Sequence, residues 1–295
     1  MDIIFPSRQF EISEVDPQWI SEYNAAKKFD SVHLYDFGEN KFSRSLKQQV
    51  NKTPIRYHGW MHKSNKYREF YNKLFDMNYE LINSPEQYDA CHHLPGWYET
   101  IKDFTPKSVI STDLNCRKMA ELLFKFQEEN NCDSIIKDYV SSLKHNWFDA
   151  CFISKMAPAF DVVKIIANFF AIKNEYGGVE GGFVIRKFEE LQKLCDHPKS
   201  KMPLSIEYRS FVLNGKVINT SEYWEFGKYS TEPPLNFIEK IAGLVRQATG
   251  SNLFTVDTAL KKDGSWTCIE IGDGQVSALP DRGNTEEFYK ELLND

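Results

Sequence analysis

The segment that most restricts this chain is FTVDTALKKDGSWTCIEIGDG, residues 254–274. Asp263-Gly264 sits between two runs of alternating character. A two-residue hairpin turn needs φ > 0 at both central positions, and Asp-Gly supplies this at low cost. The turn therefore predicts an antiparallel pair with Lys262 opposite Ser265. Counting outward sets Asp257 opposite Glu270. Thr255, Ala259, Cys268 and Gly272 share that face and are small, whereas Phe254, Val256, Leu260, Ile269 and Ile271 read as a core face. Directly opposed residues lie about 4.5–5.5 Å apart at Cβ, where like charges repel. Two opposed carboxylates need a counter-charge. A Lys or Arg side chain would serve, and so would a hard cation such as Mg²⁺, which takes carboxylate oxygens and shares its shell with substrate phosphates; a bulge that shifts the register is the other alternative.

Other strand-like segments carry charges in apolar settings. In SIIKDYVSSLKHNW, Lys137 lies mid-strand, where its ammonium loses hydration unless it meets an anion. Ser141, Ser142 and Lys144 follow, and their hydroxyls, amides and ammonium suit a phosphate. The GxxxxGK[ST] phosphate loop is absent. The Asn214-Gly215 turn predicts a second hairpin in IEYRSFVLNGKVINTSEYW. Counting from Leu213 opposite Lys216 sets Arg209 opposite Thr220 and Glu207 opposite Glu222. Arg186 and Lys187 end a predicted strand in GFVIRKF. Cations on some strands and opposed acids on another are what a triphosphate and its metal require.

At 295 residues the chain is long enough for one large or two medium domains with a substantial core. A net charge of −6 argues against a binder held to nucleic acid or to a membrane surface by charge. The first residues, MDIIFPSRQFEISEVD, lack the basic start and apolar run of a secretory signal, and no segment has about 18 consecutive apolar residues. A cytoplasmic protein with reduced cysteines is expected. Cys91-His92-His93 does not read as a zinc site, because adjacent residues of an extended chain point opposite ways.

The pattern along the chain predicts an α+β fold with an α/β opening. Strands at 2–5 and 32–36 flank a helix at 17–29. Helices follow at 63–78, 114–130, 158–173 and 234–249, and strands at 134–140 and 182–188. Residues 92–108, HHLPGWYETIKDFTPKS, read as a loop-rich crossing. The domains expected are 1–110 and 111–295, the latter divided near 190–200.

In order and in wording, KDYVSSLKH, GGFVIRKF, IEYRSFVLNGK, FTVDTAL and IEIGDGQVSALPD resemble the ATP-grasp superfamily, and within it the clade named for an arginine and two lysines. IIFPS, GWM, INSPEQY and HHLPGWY resemble the same clade, so the likeness spans nearly the whole chain. It implies an ATP-grasp fold behind a smaller β-α-β domain like those that precede it in that superfamily. It implies ATP and Mg²⁺ as cofactors, with Mn²⁺ able to replace Mg²⁺. By position, Lys137, Ser141, Ser142 and Lys144 would serve the phosphates, Arg186, Lys187 and Phe188 the adenine hinge, and Glu207 the nucleoside. Arg209 would lie at the transferred phosphoryl or acyl group, with Lys144 also at the reacting end, and Asp257, Glu270 and Asp273 would hold the metal. The clade's GWM follows an Arg. Here His58 stands in that place, with Arg56 two residues earlier.

The activity implied is an ADP-forming carboxylate–amine ligase, with small-molecule or peptide carboxylate and amine substrates. A phosphotransferase acting on a small molecule would carry the same features; a non-catalytic nucleotide-binding module is the other alternative, and the intact Lys137, Asp257 and Glu270 argue against it. Arg56, His58, Trp60, Arg68, His92, His93, Trp97 and Tyr98 are candidates for the acceptor side, though the aromatics equally suit packing.

Overall fold

A computed structural model describes residues 1–198 and 203–294. Its first sheet has parallel strands Asp2–Arg8, Val32–Asp36, Thr53–Tyr57 and Tyr79–Leu81, with Asp2–Arg8 central. Lys41–Phe42 adds an antiparallel edge, and Glu11–Val15 folds back on Asp2–Arg8. Ile3, Ile4 and Phe5 are all buried because both faces of the sheet are covered, as parallel sheets require. Ile4 packs with Tyr57, Tyr67 and Phe70 on one face. Ile3 and Phe5 meet Phe288, Tyr289 and Leu292 on the other. The C-terminal helix Thr285–Leu293 therefore closes the core of the N-terminal sheet.

Two four-stranded antiparallel sheets follow. The first runs in the order Ser108–Ser111, Phe183–Lys187, Ser134–Asp138, Phe152–Ile153 and packs on helices Cys116–Asn130 and Ala159–Glu175. The second runs Lys216–Glu222, Glu207–Leu213, Leu253–Leu260, Trp266–Asp273, and helices Leu235–Thr249 and Leu94–Ile101 pack on it. The architecture is α+β with a parallel N-terminal sheet, as expected. Among the described residues no helix is long and apolar enough to cross a membrane.

Asp257 does oppose Glu270, but by a different route from the simple count. The turn is longer than two residues: Lys261 N donates to Ser265 O, and Leu260 opposes Trp266. A bulge beside Asp257 then restores the register, so two offsets cancel. The bulge also exchanges two side chains. Cys268 joins the core with Val256 and Ile271, while Ile269 faces a cleft beside Glu270.

The second hairpin has its expected tight turn, with Asn214 and Gly215 both at positive φ. A bulge between Phe211 and Val212 shifts the far end by one residue, so Arg209 opposes Ser221 and Tyr208 opposes Glu222.

The loop expected at 92–108 is largely helical. Pro85–His92 begins with a capping box between Ser84 and Gln87, and Leu94–Ile101 carries Pro95 in its first turn, where the missing N–H costs nothing.

Candidate active site

Between the two antiparallel sheets lies a cleft of about 210 Å³, lined by Lys137, Ser142, Lys144, Arg186, Lys187, Phe188, Glu207 and Glu270, among others. Lys137 occupies the middle of the Ser134–Asp138 strand and is buried. Its Nζ donates to Glu270 Oε1 at 2.6 Å and to Val140 O at 3.3 Å. The Ser134–Asp138 strand stops short of residue 140 for a local reason. Asp138 Oδ1 accepts from the N–H groups of Val140 (3.0 Å) and Ser141 (2.7 Å), which turns the chain. Ser142 then returns to bridge Lys137 and lines the cleft. Ser141 is engaged elsewhere: Lys173 Nζ donates to its Oγ at 2.8 Å and lies 2.7 Å from Asp138 Oδ2. Of the two expected phosphate-loop serines, the structure brings only Ser142 to the cleft.

Lys144 lies with its Nζ over the ring of Tyr223, 5.8 Å from the centroid. Its pKa is raised, first by the Tyr223 phenol and then, against burial, by Glu270, Glu207 and Asp257. Arg186 is buried and donates to Thr105 Oγ1, which itself donates to Cys268 O at 2.8 Å. Its Nε has no partner among the described residues. A buried, unpaired guanidinium N–H lining a cleft suits an anion. Lys187 pairs with Glu189 at 3.1 Å, and Phe188 packs on Trp147 and Phe152 at the apolar end. Glu207 is buried and accepts from Ser205 Oγ at 2.6 Å; burial raises its pKa.

The opposed acids each have a cation. Arg209 grips Asp257 with two hydrogen bonds, Nε to Oδ1 at 2.9 Å and Nη2 to Oδ2 at 2.7 Å. Burial would lower the Arg209 pKa, but Asp257 and Tyr223 raise it further. Burial would likewise raise that of Glu270, yet Lys137 and Lys144 hold it down at about 2. The sequence thus allowed either a side-chain cation or a metal, and the structure holds the side-chain pairs. Lys137, Lys144, Arg186, Lys187 and Lys193 line the cleft with Glu189, Glu207 and Glu270, and the Arg209–Asp257 pair lies beside it, an excess of positive charge fit for a polyanion.

Asp273 departs from its expected place as third metal ligand. It is fully buried and caps the turn Gly274–Val276. Its Oδ1 accepts from Gln275 N at 2.9 Å and its Oδ2 from Asn83 Nδ2 at 2.6 Å. Burial pushes its pKa up to about 7. Its oxygens are committed to joining the N-terminal sheet to the hairpin.

A family profile for the ATP-grasp domain, family 3 of the clade named for an arginine and two lysines, matches residues 128–292. The chain belongs to that family. None of the curated proteins compared with this ATP-grasp chain matches it. Solved structures with the ATP-grasp fold match end to end at low identity. D-cycloserine synthetase DcsG superposes with a TM-score of 0.60 at 10% identity, covering 100% of this chain and 99% of that one. The ATP-grasp ligase PsnB, complexed with precursor peptide PsnA2 and AMPPNP, gives 0.59 at 11%, covering 99% and 97%. D-alanyl-alanine synthetase A from Vibrio cholerae gives 0.59 at 11%, covering 100% and 99%.

Several residues that build this ATP-grasp site were missed in the sequence. Lys173 had a signal: Val162, Ile166, Phe169 and Lys173 form one buried stripe at helical spacing, and a Lys there needs an acid. Thr105 and Tyr223 had none, since each acts through contacts that only the folded chain creates. Of the acceptor candidates, Trp97 and Tyr98 are core, Arg68 pairs with Glu86 at the surface, and His58 is buried against Tyr289.

Proposed function

We propose that this protein is an ATP-dependent, ADP-forming ligase that joins a carboxylate to an amine through an acyl phosphate. The observation that carries the proposal is the convergence of Lys137, Lys144, Arg186 and Glu270 in one cleft, beside the Arg209–Asp257 pair. Phe188 and Trp147 offer an apolar end for a base and the cations a polar end for phosphates. The N-terminal α/β domain is assigned to 1–110 and the ATP-grasp domain to 111–295, with the lysine and hinge part to about 190 and the metal hairpin from about 200.

The donor set fits Mg²⁺, which needs only one or two carboxylates when phosphates complete its shell. Asp257 and Glu270 would hold it, with Mn²⁺ an acceptable substitute. Among the described residues there is no cluster of three His, Cys, Asp or Glu that could hold a metal ion by itself. The ion supplies charge neutralisation at the phosphates. On binding, Lys137 and Arg209 would turn from the acids toward the phosphates and the substrate.

A carboxylate is a poor electrophile because its charge repels a nucleophile. In the reaction one carboxylate oxygen attacks the γ-phosphorus and ADP departs. The amine nitrogen then attacks the acyl carbon, phosphate leaves with the C–O bond pair, and the nitrogen loses a proton. Arg209 would stabilise the tetrahedral oxyanion between these steps. The complex of PsnB with a precursor peptide supports peptides as one substrate class, and synthetases such as DcsG support small molecules.

The test is incubation with Mg²⁺, ATP and pooled amino acids and short peptides, with Glu270→Gln as control. ADP release that needs both a carboxylate and an amine, with a condensed product by mass spectrometry, supports the proposal. A phosphorylated product without condensation identifies a phosphotransferase instead.

A further inference from the structure

We infer that Tyr223 is a positioning residue whose ring holds Lys144 and Arg209 at the phosphate end of the cleft. The inference rests on the nucleotide-binding reading of that cleft and adds a residue to it. Tyr223 directly follows the Lys216–Glu222 strand, and its N–H donates to Glu207 O at 3.0 Å, which extends the sheet by one residue. Its ring lies 4.9 Å from the Arg209 Cζ and 5.8 Å from the Lys144 Nζ. Both distances are within the range of attraction between a cation and an aromatic face.

The two cations differ in what else holds them. Arg209 is fixed by its two bonds to Asp257. Among the described residues Lys144 has no carboxylate within salt-bridge distance, and the Tyr223 ring is its contact. Lys144 sits in a short turn, Lys144–Asn146, that would otherwise leave a long side chain free to swing into solvent. Two like charges also repel, so a polarisable ring next to both lowers the cost of keeping them close. The ring is itself braced. Trp224 packs edge-on against it at 4.8 Å, and Arg282 donates from Nη2 to Glu225 O and Gly227 O, which pins the following loop.

The role is assigned to the ring, and Tyr223→Phe and Tyr223→Leu separate the ring from the hydroxyl. Binding of Mg-AMPPNP is measured by calorimetry, with melting temperature as a check on folding. Tyr223→Phe is expected to bind within about twofold of wild type. Tyr223→Leu is expected to bind about tenfold more weakly, the loss that one to two such contacts give. In a Lys144→Ala background, Tyr223→Leu should then cost only about twofold more, because its main partner is gone. Wild-type affinity in Tyr223→Leu overturns the inference and leaves the nucleotide site standing. So does a full tenfold loss in the Lys144→Ala background. A Phe variant as weak as the Leu variant assigns the role to the hydroxyl and also overturns it. Failure of wild type to bind the analogue at all overturns both readings.

Discussion

Lys137 and Glu270 stand 133 residues apart in the chain and meet at 2.6 Å across the gap between two sheets. The pair joins the strand that offers a cation to the strand that offers an acid. It keeps both charges satisfied.

That contact has a signature in acid. Glu270 is held at about 2, against 4.5 for a free glutamate. A carboxylate with a depressed native pKa stabilises the fold above its unfolded pKa, and the contribution is lost as pH falls through the native value. The window is therefore pH 4.5 down to about 2. Unfolding free energies of wild type and Glu270→Gln, taken from urea denaturation, should differ at pH 7 by about 2–3 kcal/mol, allowing for the 29% exposure of the side chain. The difference should shrink steadily below pH 4.5.

Asp273 is expected to behave in the opposite sense. Its native pKa is raised from 3.8 to about 7, so its contribution favours the fold most below pH 3.8 and declines as pH rises toward 7. Asp273→Asn removes that slope. It also turns a donor toward Asn83 or Gln275, which already donate, and should cost about 1–3 kcal/mol. The Mg²⁺ requirement of any activity should stay unchanged. A normal melting temperature with a raised Mg²⁺ requirement would restore Asp273 as a ligand.

Lys173→Met leaves Asp138 buried without its cation, since both side chains are under one-tenth exposed. Removing one partner of such a pair costs about 3–5 kcal/mol, whereas replacing both is far milder. Chemical denaturation should show that loss, and Lys173→Met with Asp138→Asn should recover part of it. Proteolysis within 139–142 should also quicken in the single variant, because Lys173 and Asp138 together hold that loop.

Arg209→Lys keeps the charge but not the two-pronged grip on Asp257. Turnover should fall about 10²–10³-fold if the guanidinium also meets the developing oxyanion. Affinity for Mg-AMPPNP should change far less. Equal losses in both would make Arg209 a binding residue only.

Much of this was legible in the sequence because turns and periodicity are local. Asp-Gly and Asn-Gly marked both hairpins, and the charged strand residues marked the cleft. The exact pairing was less secure. The Asp257–Glu270 count succeeded because a longer turn and a bulge offset one another, and the Arg209 count failed because its bulge had no offset. Bulges depend on how a sheet must curve over its helices, which no short segment states. Asp273 looked like a ligand because acids near Glu270 fit the motif, but Asn83 reaches it from 190 residues away. The helices at 85–101 were hidden by prolines that read as loop yet sit in first turns.

The most direct test of the central claim follows oxygen. The carboxylate substrate that supports ADP release is labelled with ¹⁸O in both positions, and the released phosphate is analysed by mass spectrometry. Passage through an acyl phosphate moves one labelled oxygen into each phosphate formed. Unlabelled phosphate accompanying the condensed product would contradict the mechanism.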